Sequence, residues 1–304
     1  MNPPRVTIII ATYNYGRYLR TAIASLRAQT MRDWECIVVD DASTDDTPAI
    51  LEEAASVDTR IRYMRNVRNM GVSAARNLAL AAAQGEHIQF LDADDAIAPG
   101  KLERQAAFLD AKPHVAVVWS DFAHFTSTPD FSASGELRPD ERLEGAGARI
   151  LNRLLKGNVV RINTALTRAS VIRELRGFRA EFRAVEDLHL WLRIAAGAHR
   201  YAFLDDPACL SAVRVNPHGL SKDAKGMRRF MPPVLQDLWC HHALGAMTSA
   251  NLLLRHADFA LDMMLIRREP VVVLPDRRGA FLARAVPLAL LLLPFWLIVR
   301  PFRR

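Results

Sequence analysis

Two kinds of hydrophobic pattern alternate along the first 120 residues of the chain. Short, mostly apolar runs occupy residues 6–10, 36–39, 61–64, 87–91 and 115–119, and between them apolar residues recur at helical spacing. Runs of the first kind are typical of strands buried on both faces, and the second spacing is typical of amphipathic helices. The alternation predicts an α/β fold with a mostly parallel sheet covered on both sides, whose ligands bind at the carboxyl ends of the strands.

Acidic side chains collect where two of these predicted strands end. Asp92, Asp94 and Asp95 follow the fourth strand, and Asp41 follows the second. Carboxylates this close together repel one another unless they are solvated or neutralised, so a divalent metal that carries a phosphorylated ligand is their natural partner. An acidic turn that opens the next helix is the alternative interpretation of the same residues.

Five blocks of sequence coincide with the strand ends and helix starts of this pattern. They are TIIIATYN (7–14), VVDDASTD (38–45), NMG with ARN (69–71 and 75–77), FLDADD (90–95), and GF followed by EDLHLWLR (177–178 and 186–193). In order and spacing, these blocks resemble the family 2 inverting glycosyltransferases, which have the Rossmann-like GT-A fold. The resemblance covers about residues 5–220 and implies a GT-A glycosyltransferase domain, which we expect to occupy residues 1–222.

The resemblance implies a nucleotide-sugar donor site at the first two strand ends. Thr12, Tyr13 and Asp41 would surround the base and ribose, and Arg76 would lie near the donor. These residue types fit, because a base needs an aromatic or apolar face, and a carboxylate accepts a hydrogen bond from a uracil imide N–H. From the residues alone, Tyr13 could instead pack against the protein, and Arg76 could pair with a carboxylate on its own helix.

The resemblance also gives the acids after the fourth strand a specific role. Asp94 would be the direct protein ligand of Mn²⁺ or Mg²⁺, and Asp92 would support the ribose or a metal-bound water. His218 is a further candidate metal ligand, but Asn216 stands where family members often have a histidine. Either a shifted loop brings His218 to the metal, or Arg214 acts there alone.

Inversion at the anomeric carbon requires a carboxylate that takes the proton of the acceptor hydroxyl, a role typically worth ~10²–10⁴ in rate. By resemblance this base is Asp187, with Glu186, Trp191 and Arg214 on the acceptor side. The alternative interpretation is that Asp187 only stabilises the start of the apolar helix that follows, because an acid interacts favourably with a helix amino terminus.

The segment 126–149 is rich in Gly, Pro, Ser and Thr and shows no hydrophobic period. Loops of this length within a domain are usually functional or mobile, and in this context the segment is expected to be a lid over the acceptor. No G-x-G-x-x-G sequence follows the first strand, so a dinucleotide site is poorly supported.

Most of the net positive charge lies in the carboxyl-terminal part of the chain. The chain carries a net charge of +7, of which +6 belongs to residues 267–304, so the remainder is nearly neutral and does not suggest a nucleic-acid binder. Residues 285–299 are apolar and flanked by arginines, but as a helix they span only ~22 Å. We therefore expect a helical extension at 223–279 and a membrane anchor at 280–304, which either spans the bilayer or only inserts; a buried core helix is the alternative.

Together these features predict a metal-dependent inverting glycosyltransferase at the cytoplasmic face of the cell membrane. Its donor would be a nucleotide-diphosphate sugar, with UDP as the expected nucleotide, and its acceptor a glycan or lipid-linked molecule of cell-surface polysaccharide synthesis. A nucleotidyltransferase and a non-catalytic nucleotide-sugar-binding membrane scaffold are the competing functions. We expect no signal peptide, since the first strand starts almost at Met1, and reduced thiols at the three cysteines.

Overall fold

The computed structural model of the protein describes residues 3–182, 184–216, 230–242, 244 and 246–261. The strands among them are β1 (Val6–Thr12), β2 (Trp34–Asp40), β3 (Ile61–Arg65), β4 (His87–Phe90), β5 (Ala96–Ile97), β6 (Val115–Trp119), β7 (Phe122–Phe125), β8 (Ala165–Arg168), β9 (Arg200–Phe203) and β10 (Ser211–Arg214). The helices are α1 (Gly16–Arg27), α2 (Thr47–Val57), α3 (Val72–Ala82), α4 (Lys101–Ala111), α5 (Ala148–Leu154), α6 (Ala169–Glu174), α7 (Glu186–Ala196), α8 (Met231–His241) and α9 (Ala246–Leu261). The five strands predicted from the sequence are present as β1, β2, β3, β4 and β6.

Seven of the described strands form one mixed sheet in the order β3-β2-β1-β4-β8-β6-β9. Neighbours pair in parallel, except that β8 is antiparallel to both β4 and β6. The prediction of a mostly parallel sheet is thus confirmed apart from β8, a four-residue strand that is too short to produce a recognisable pattern. Because β8 runs backwards, its amino end lies at the sheet edge where β1, β2 and β4 have their carboxyl ends.

Alternate residues of the central strands pack into two separate cores. In β1, Ile8 and Ile10 face the core formed with α1, α2 and α4, whereas Ile9 faces the core formed with α3, α5, α7 and α8. This follows from the two-residue repeat of a strand, and it explains why the runs are apolar throughout. Helices packed on both faces of the sheet therefore hold the strand ends that carry the acids.

A second sheet of three short strands lies beside the end of β4. β10 pairs antiparallel with β5 and parallel with β7. β5 begins immediately after Asp95, so the acids sit in the tight connection between the two sheets. The sequence did not predict this sheet, because β5 has only two residues and β7 and β10 only four each.

The segment 126–149 is more closely attached to the domain than the prediction of a long loop implied. It contains a 3₁₀ turn at Pro139–Glu141 and two buried leucines, and its last residues already belong to α5. Gly145 forms a two-way backbone bridge with Tyr201, and the Leu143 carbonyl accepts a hydrogen bond from the buried Trp119 indole at 2.9 Å. A role as acceptor lid stays a prediction.

The predicted helical extension at residues 223–279 is described in part, as α8 and α9, with α8 ending at His241. Val234, Leu235 and Leu238 of α8 are buried in the same core as α7, so this part of the extension packs on the α/β domain. No helix within the described residues is both long and apolar enough to cross a bilayer. The predicted anchor at 280–304 lies outside the described residues.

Candidate active site

The loops that follow β1 and β2 are tied to each other by side chains. The Asn14 amide oxygen accepts the Thr44 N–H at 2.7 Å, and the Asn14 N–H donates to the Ser43 hydroxyl at 2.9 Å. Asp45 accepts the Gly16 N–H at 3.0 Å, at the start of α1. These contacts fix one wall of the predicted donor site before any ligand binds.

Asp41, predicted to contact the base, holds the segment after β3 in place. Its carboxylate accepts hydrogen bonds from the Asn66 amide at 2.6 Å, the Met70 N–H at 2.9 Å and the Gly71 N–H at 2.7 Å. Gly71 has φ +89°, a conformation that suits glycine and brings its N–H to the carboxylate. Two of the bonds share Oδ1, so Oδ2 keeps an acceptor position for a ligand N–H.

The surroundings of Asp41 are compatible with the donor role predicted for Thr12 and Tyr13. The Thr12 hydroxyl is buried and has no hydrogen-bond partner within the described residues. Tyr13 is 44% exposed, so its ring is not packed in the core, in contrast to the alternative interpretation. A recess of about 350 Å³ lies next to Asp41 in sequence, and its lining includes Ala42, Arg65 and Asn66.

Asp92, Asp94 and Asp95, which we call the donor-side acids, differ in their environments. Asp95 is buried and accepts hydrogen bonds from the Asn163 amide at 2.6 Å and the Arg214 N–H at 2.7 Å, so it joins β4 to the turn before β8 and to β10. Burial, followed by the negative charge of Asp92, raises the pKa of Asp94 to about 6. Asp92 and Asp94 are the members of the cluster left to face a ligand.

These residues fit a hard divalent cation. Asp94 offers carboxylate oxygens whose ionised form is made less favourable by burial, a cost that a bound cation would offset, and oxygen is the ligand atom that Mg²⁺ and Mn²⁺ prefer. The Asn216 side chain forms a hydrogen bond with Asp94 and donates to the Tyr15 hydroxyl at 3.2 Å. Asn216, which replaces the histidine of the resemblance, therefore stands at the metal side. His218 lies outside the described residues.

Arg214 lies beside the donor-side acids, as expected if it acts at the metal side, and its assignment to the acceptor side stays a prediction. Its Nε donates to the Asp94 carbonyl at 3.0 Å, and its guanidinium carbon lies 4.8 Å from the Tyr18 ring centroid and 4.4 Å from that of Phe125. Nη1 donates to the Thr126 carbonyl at 2.7 Å. These contacts hold a positive charge next to the proposed metal ligand, where a diphosphate would lie.

Arg76 connects the donor-side acids to Glu186 and Asp187, which we call the acceptor-side acids. Its Nη2 donates to Asp92 at 2.7 Å and its Nη1 to Glu186 at 2.8 Å, although the side chain is almost completely buried. The guanidinium carbon also lies 5.3 Å from the Phe178 ring centroid. The alternative that Arg76 pairs within its own helix is therefore wrong, since both partners come from other elements.

Asp187 is the second residue of α7 and is partly buried. Val185 precedes this helix with φ +56°, a strained conformation for a β-branched residue, and so turns the chain sharply into α7. Burial, followed by the charge of Glu186, raises the pKa of Asp187 to about 7. A carboxylate with a pKa near neutrality is suited to take a proton from a hydroxyl group.

Trp191 does not line the acceptor side. Its side chain is 0% exposed and packs in the core between the sheet and α8, and its carbonyl accepts a hydrogen bond from the Tyr201 hydroxyl at 2.7 Å. The acceptor-side assignment of Trp191 is corrected accordingly, because a fully buried indole contacts no ligand. The apolar residues of the block at 186–193, Trp191 among them, pack α7 into the core.

Three polar residues near the acids were not found from the sequence. Asn158 donates to Asp187 at 2.7 Å, Asn163 donates to Asp95, and Asp237 of α8 accepts from His189 of α7 at 2.9 Å. Each partner lies between 29 and 68 positions away along the chain. Hydrophobic periodicity carries no signal for such contacts, and the short strand β8 that brings two of these residues to the site was itself missed.

Comparison with known proteins agrees with this geometry. The sequence profile of Glycosyl transferase family 2 matches residues 7–175, more than half of the chain. EpsE of Bacillus subtilis (strain 168), described as a glycosyltransferase, is 36% identical over 194 residues, which cover 62% of this chain and 66% of EpsE. TuaG of the same organism, described as a teichuronic acid biosynthesis glycosyltransferase, is 41% identical over 106 residues, covering 35% of this chain and 42% of TuaG. The aligned part thus spans less than two thirds of each relative.

Two solved structures share the fold. S. aureus TarS 1-349 in complex with UDP-GlcNAc has a TM-score of 0.66 and 22% identity, over 86% of this chain and 73% of that chain. The mannosyltransferase PcManGT from Pyrobaculum calidifontis, in complex with GDP-Man and Mn²⁺, has a TM-score of 0.63 and 21% identity, over 100% of this chain and 83% of that chain. The GT-A fold and the family resemblance inferred from the sequence blocks are both confirmed.

Proposed function

Because the chain belongs to glycosyl transferase family 2, we propose that it is an inverting, divalent-metal-dependent glycosyltransferase. It transfers a sugar from a nucleotide-diphosphate sugar to a glycan or lipid-linked acceptor in the synthesis of a cell-surface polysaccharide. The observation that carries the proposal is the placement of two acid groups on either side of one buried guanidinium, Arg76. One group has the chemistry of a metal site and the other that of a base.

In this mechanism each acid group has one task. Asp94 would hold Mn²⁺ or Mg²⁺, with Asp92 supporting the ribose or a metal-bound water, and the ion would supply positive charge for the departing diphosphate. On the opposite side, Asp187 accepts the proton of the acceptor hydroxyl as its oxygen bonds to the anomeric carbon and the bond to the diphosphate oxygen breaks. Arg76 fixes Asp92 and Glu186 relative to each other, so the attacking and leaving groups are held in line.

UDP is the nucleotide that we propose for the donor. TarS binds UDP-GlcNAc, and the free acceptor position on Asp41 Oδ2 suits the imide N–H of uracil. PcManGT binds GDP-Man together with Mn²⁺, so the fold also accommodates a purine nucleotide. The identity of EpsE and TuaG as glycosyltransferases of Bacillus subtilis, with teichuronic acid biosynthesis named for TuaG, supports the class of acceptor.

A thermal-shift panel of UDP-, GDP- and other nucleotide-sugars, each with and without Mn²⁺, tests the proposal. We expect one nucleotide to raise the Tm only when Mn²⁺ is present, because a ligand that binds only the folded state stabilises it by mass action. Product analysis with that donor then separates sugar transfer from nucleotidyl transfer and from binding without turnover. A protein that no nucleotide-sugar stabilises under either condition would contradict the proposal.

We also propose that residues 280–304 attach the enzyme to the cytoplasmic face of the cell membrane. The support is an apolar stretch of 15 residues at 285–299 between arginines, which favours binding to anionic lipid. Deletion of 280–304 should move the protein to the soluble fraction and leave donor binding unchanged, because the proposed donor residues all precede position 220. Fractionation with and without carbonate distinguishes an inserted segment from a spanning one, and an insoluble, unfolded truncation would show that the segment belongs to the core.

A further inference from the structure

Asn158 lies in the loop after α5, outside every sequence block that led to the family. Leu155 and Val159 on either side of it are buried, and Val160 is completely so, whereas the Asn158 side chain is exposed. The Gly157 N–H also donates back to the Leu154 carbonyl at 3.1 Å. The backbone is thus anchored on both sides, and the amide is held out at the mouth of the site.

The amide makes a direct contact with the candidate base. Asn158 Nδ2 donates to Asp187 Oδ2 at 2.7 Å, and the Leu188 N–H donates to Asp187 Oδ1 at 2.7 Å. Loop asparagines usually bond to their own backbone within two residues, so a partner 29 positions away is informative. The last side-chain torsion of an aspartate usually takes a broad range of angles. With one N–H bonded to each oxygen, this torsion is restrained in Asp187.

The contact leaves the carboxylate able to act. Each carboxylate oxygen has two lone-pair positions, so each oxygen of Asp187 retains one for an acceptor hydroxyl. The charged groups that face Asp187 are Glu186 in its own turn, Arg76 from α3 and Asp92 from the end of β4. None of them holds its oxygens, and the Asn158 amide is the side-chain contact that does so within the described residues.

We propose that Asn158 is a positioning residue for Asp187, which orients the carboxylate toward the acceptor hydroxyl and favours its ionised form. The inference rests on the proposed function of Asp187 as the base. It extends the catalytic machinery to the loop between α5 and β8, a region that no residue pattern of the sequence singled out.

The proposal predicts a direction for the titration of Asp187. A hydrogen bond donated to a carboxylate stabilises its ionised form, so its loss raises the pKa above the present value of about 7. Asn158→Ala should raise the midpoint by about half to one pH unit, and Asn158→Asp should raise it further, because a second carboxylate adds like-charge repulsion. Lys156→Gln, an exposed change two residues earlier in the same loop, should leave the midpoint unchanged in physiological salt.

The first test measures this midpoint without any substrate. Full-length protein labelled with ¹³C-aspartate is titrated by NMR, and the Asp187 carboxyl signal is assigned by its absence in Asp187→Asn. A midpoint that rises in Asn158→Ala and more in Asn158→Asp, but not in Lys156→Gln, supports the proposal. An Asp187 midpoint in Asn158→Ala equal to that of the wild type overturns it.

The second test uses the donor identified by the thermal-shift panel. Asn158→Ala should lower kcat while the KM for the donor stays unchanged, with the acidic limb of the pH profile moved upward, and Asn158→Gln should restore part of the loss because it keeps the amide. A merely structural role would not move the pH profile. If Asp187→Asn turned over normally, the proposed base would be wrong, whereas an inactive Asp187→Asn with a wild-type profile in Asn158→Ala would reject only the role of Asn158.

Discussion

The donor-side acids and the acceptor-side acids show two ways to keep clustered carboxylates in one protein. Within the described residues no cationic side chain is hydrogen-bonded to the Asp94 carboxylate, and burial with the charge of Asp92 raises the pKa of Asp94 to about 6. Glu186 has an internal counter-ion, Arg76, whereas its neighbour Asp187 is held by two neutral N–H groups. Arg76 is also the counter-ion of Asp92, so the contrast lies between Asp94, whose environment suits a bound cation, and Asp187, whose two oxygens are each held by a protein N–H group.

This difference separates binding from chemistry. A carboxylate that binds a metal ion contributes to the affinity for the nucleoside diphosphate, because the metal ion and the diphosphate bind together. A carboxylate with a pKa of about 7 and only neutral hydrogen-bond donors is ready to exchange a proton at physiological pH. Substitutions on the two sides should therefore change different measured quantities.

The largest effect is expected at Asp187. Asp187→Asn should bind donor normally but lose transfer by ~10²-fold or more, because an amide takes up no proton from the acceptor. In the wild type, the acidic limb of kcat/KM should have its midpoint near the pKa of about 7, with activity rising above it as the base ionises. Transfer assays at saturating donor decide this, with the exposed Glu181→Gln as control. Near-normal turnover of Asp187→Asn would leave the residue a helix-capping role only.

A smaller effect, on affinity rather than turnover, is expected at Asp94. Asp94→Asn should weaken the Mn²⁺-dependent binding of UDP by at least ~10-fold. Loss of a residue that only hydrogen-bonds to a metal ligand already lowers metal affinity by about that factor, and loss of a direct ligand should lower it at least as much. Without Mn²⁺, variant and wild type should bind alike. Calorimetric titration of UDP with and without Mn²⁺ measures both numbers, and Asp33→Asn, an exposed acid just before β2, is the control. Equal Mn²⁺-dependent affinity in Asp94→Asn and wild type would reject the ligand assignment.

The smallest effect on catalysis is expected at Asp237 of α8, which contacts α7, the helix of the acceptor-side acids, through His189. Its buried carboxylate accepts from His189 at 2.9 Å and lies 3.0 Å from His241 and 3.6 Å from Arg179. Asp237→Asn should lower the free energy of unfolding by about 1–3 kcal/mol, because a charged hydrogen bond and its partners are left unmatched, and should lower kcat only a few-fold. Urea denaturation measures the first effect, with the exposed Asp140→Asn as control.

The pH dependence of this loss has a definite sign. Burial raises the pKa of Asp237, but the hydrogen bond and charge of His189, with Arg179 and His241, outweigh it and lower the pKa overall. A carboxyl with a lowered pKa contributes stability above its unfolded pKa and loses it as the pH falls through the folded value. Wild type and Asp237→Asn should therefore differ in stability at neutral pH and converge in strong acid, and a constant difference across that range would count against the ion cluster.

The donor half of the site was largely predictable from the sequence because its geometry is local. Asp41 follows β2 and Asp94 follows β4, and parallel neighbouring strands bring their carboxyl ends to one edge whatever lies between them. The sequence blocks added the roles of these residues, which stay predictions, and both acids lie within the residues 7–175 that the family profile matches. The metal ligand His218 stays a prediction, since it lies outside the described residues.

The acceptor half was less predictable, for a physical reason. Trp191 was assigned from its place in a block, but the facing of α7 toward the core and α8 buries it. Arg214 was expected either beside the metal or on the acceptor side, and it is the pairing of β10 with β5 that brings it to the Asp94 carbonyl. Burial and strand pairing of short elements depend on contacts between distant segments, which a local pattern does not report.

The sequence alone thus determined the alternating α/β framework, the edge at which ligands bind and the identity of the acids on it, because continuous apolar strands and the residues that end them are encoded locally. Only the tertiary structure decided how those acids are paired. Arg76 bridges two elements, Asn163 lies directly before the antiparallel strand β8, Asn158 comes from the loop after α5, and Asp237 comes from the helical extension. Pairing depends on side-chain distances of about 3 Å between segments far apart in the chain, and only the packed core fixes such distances.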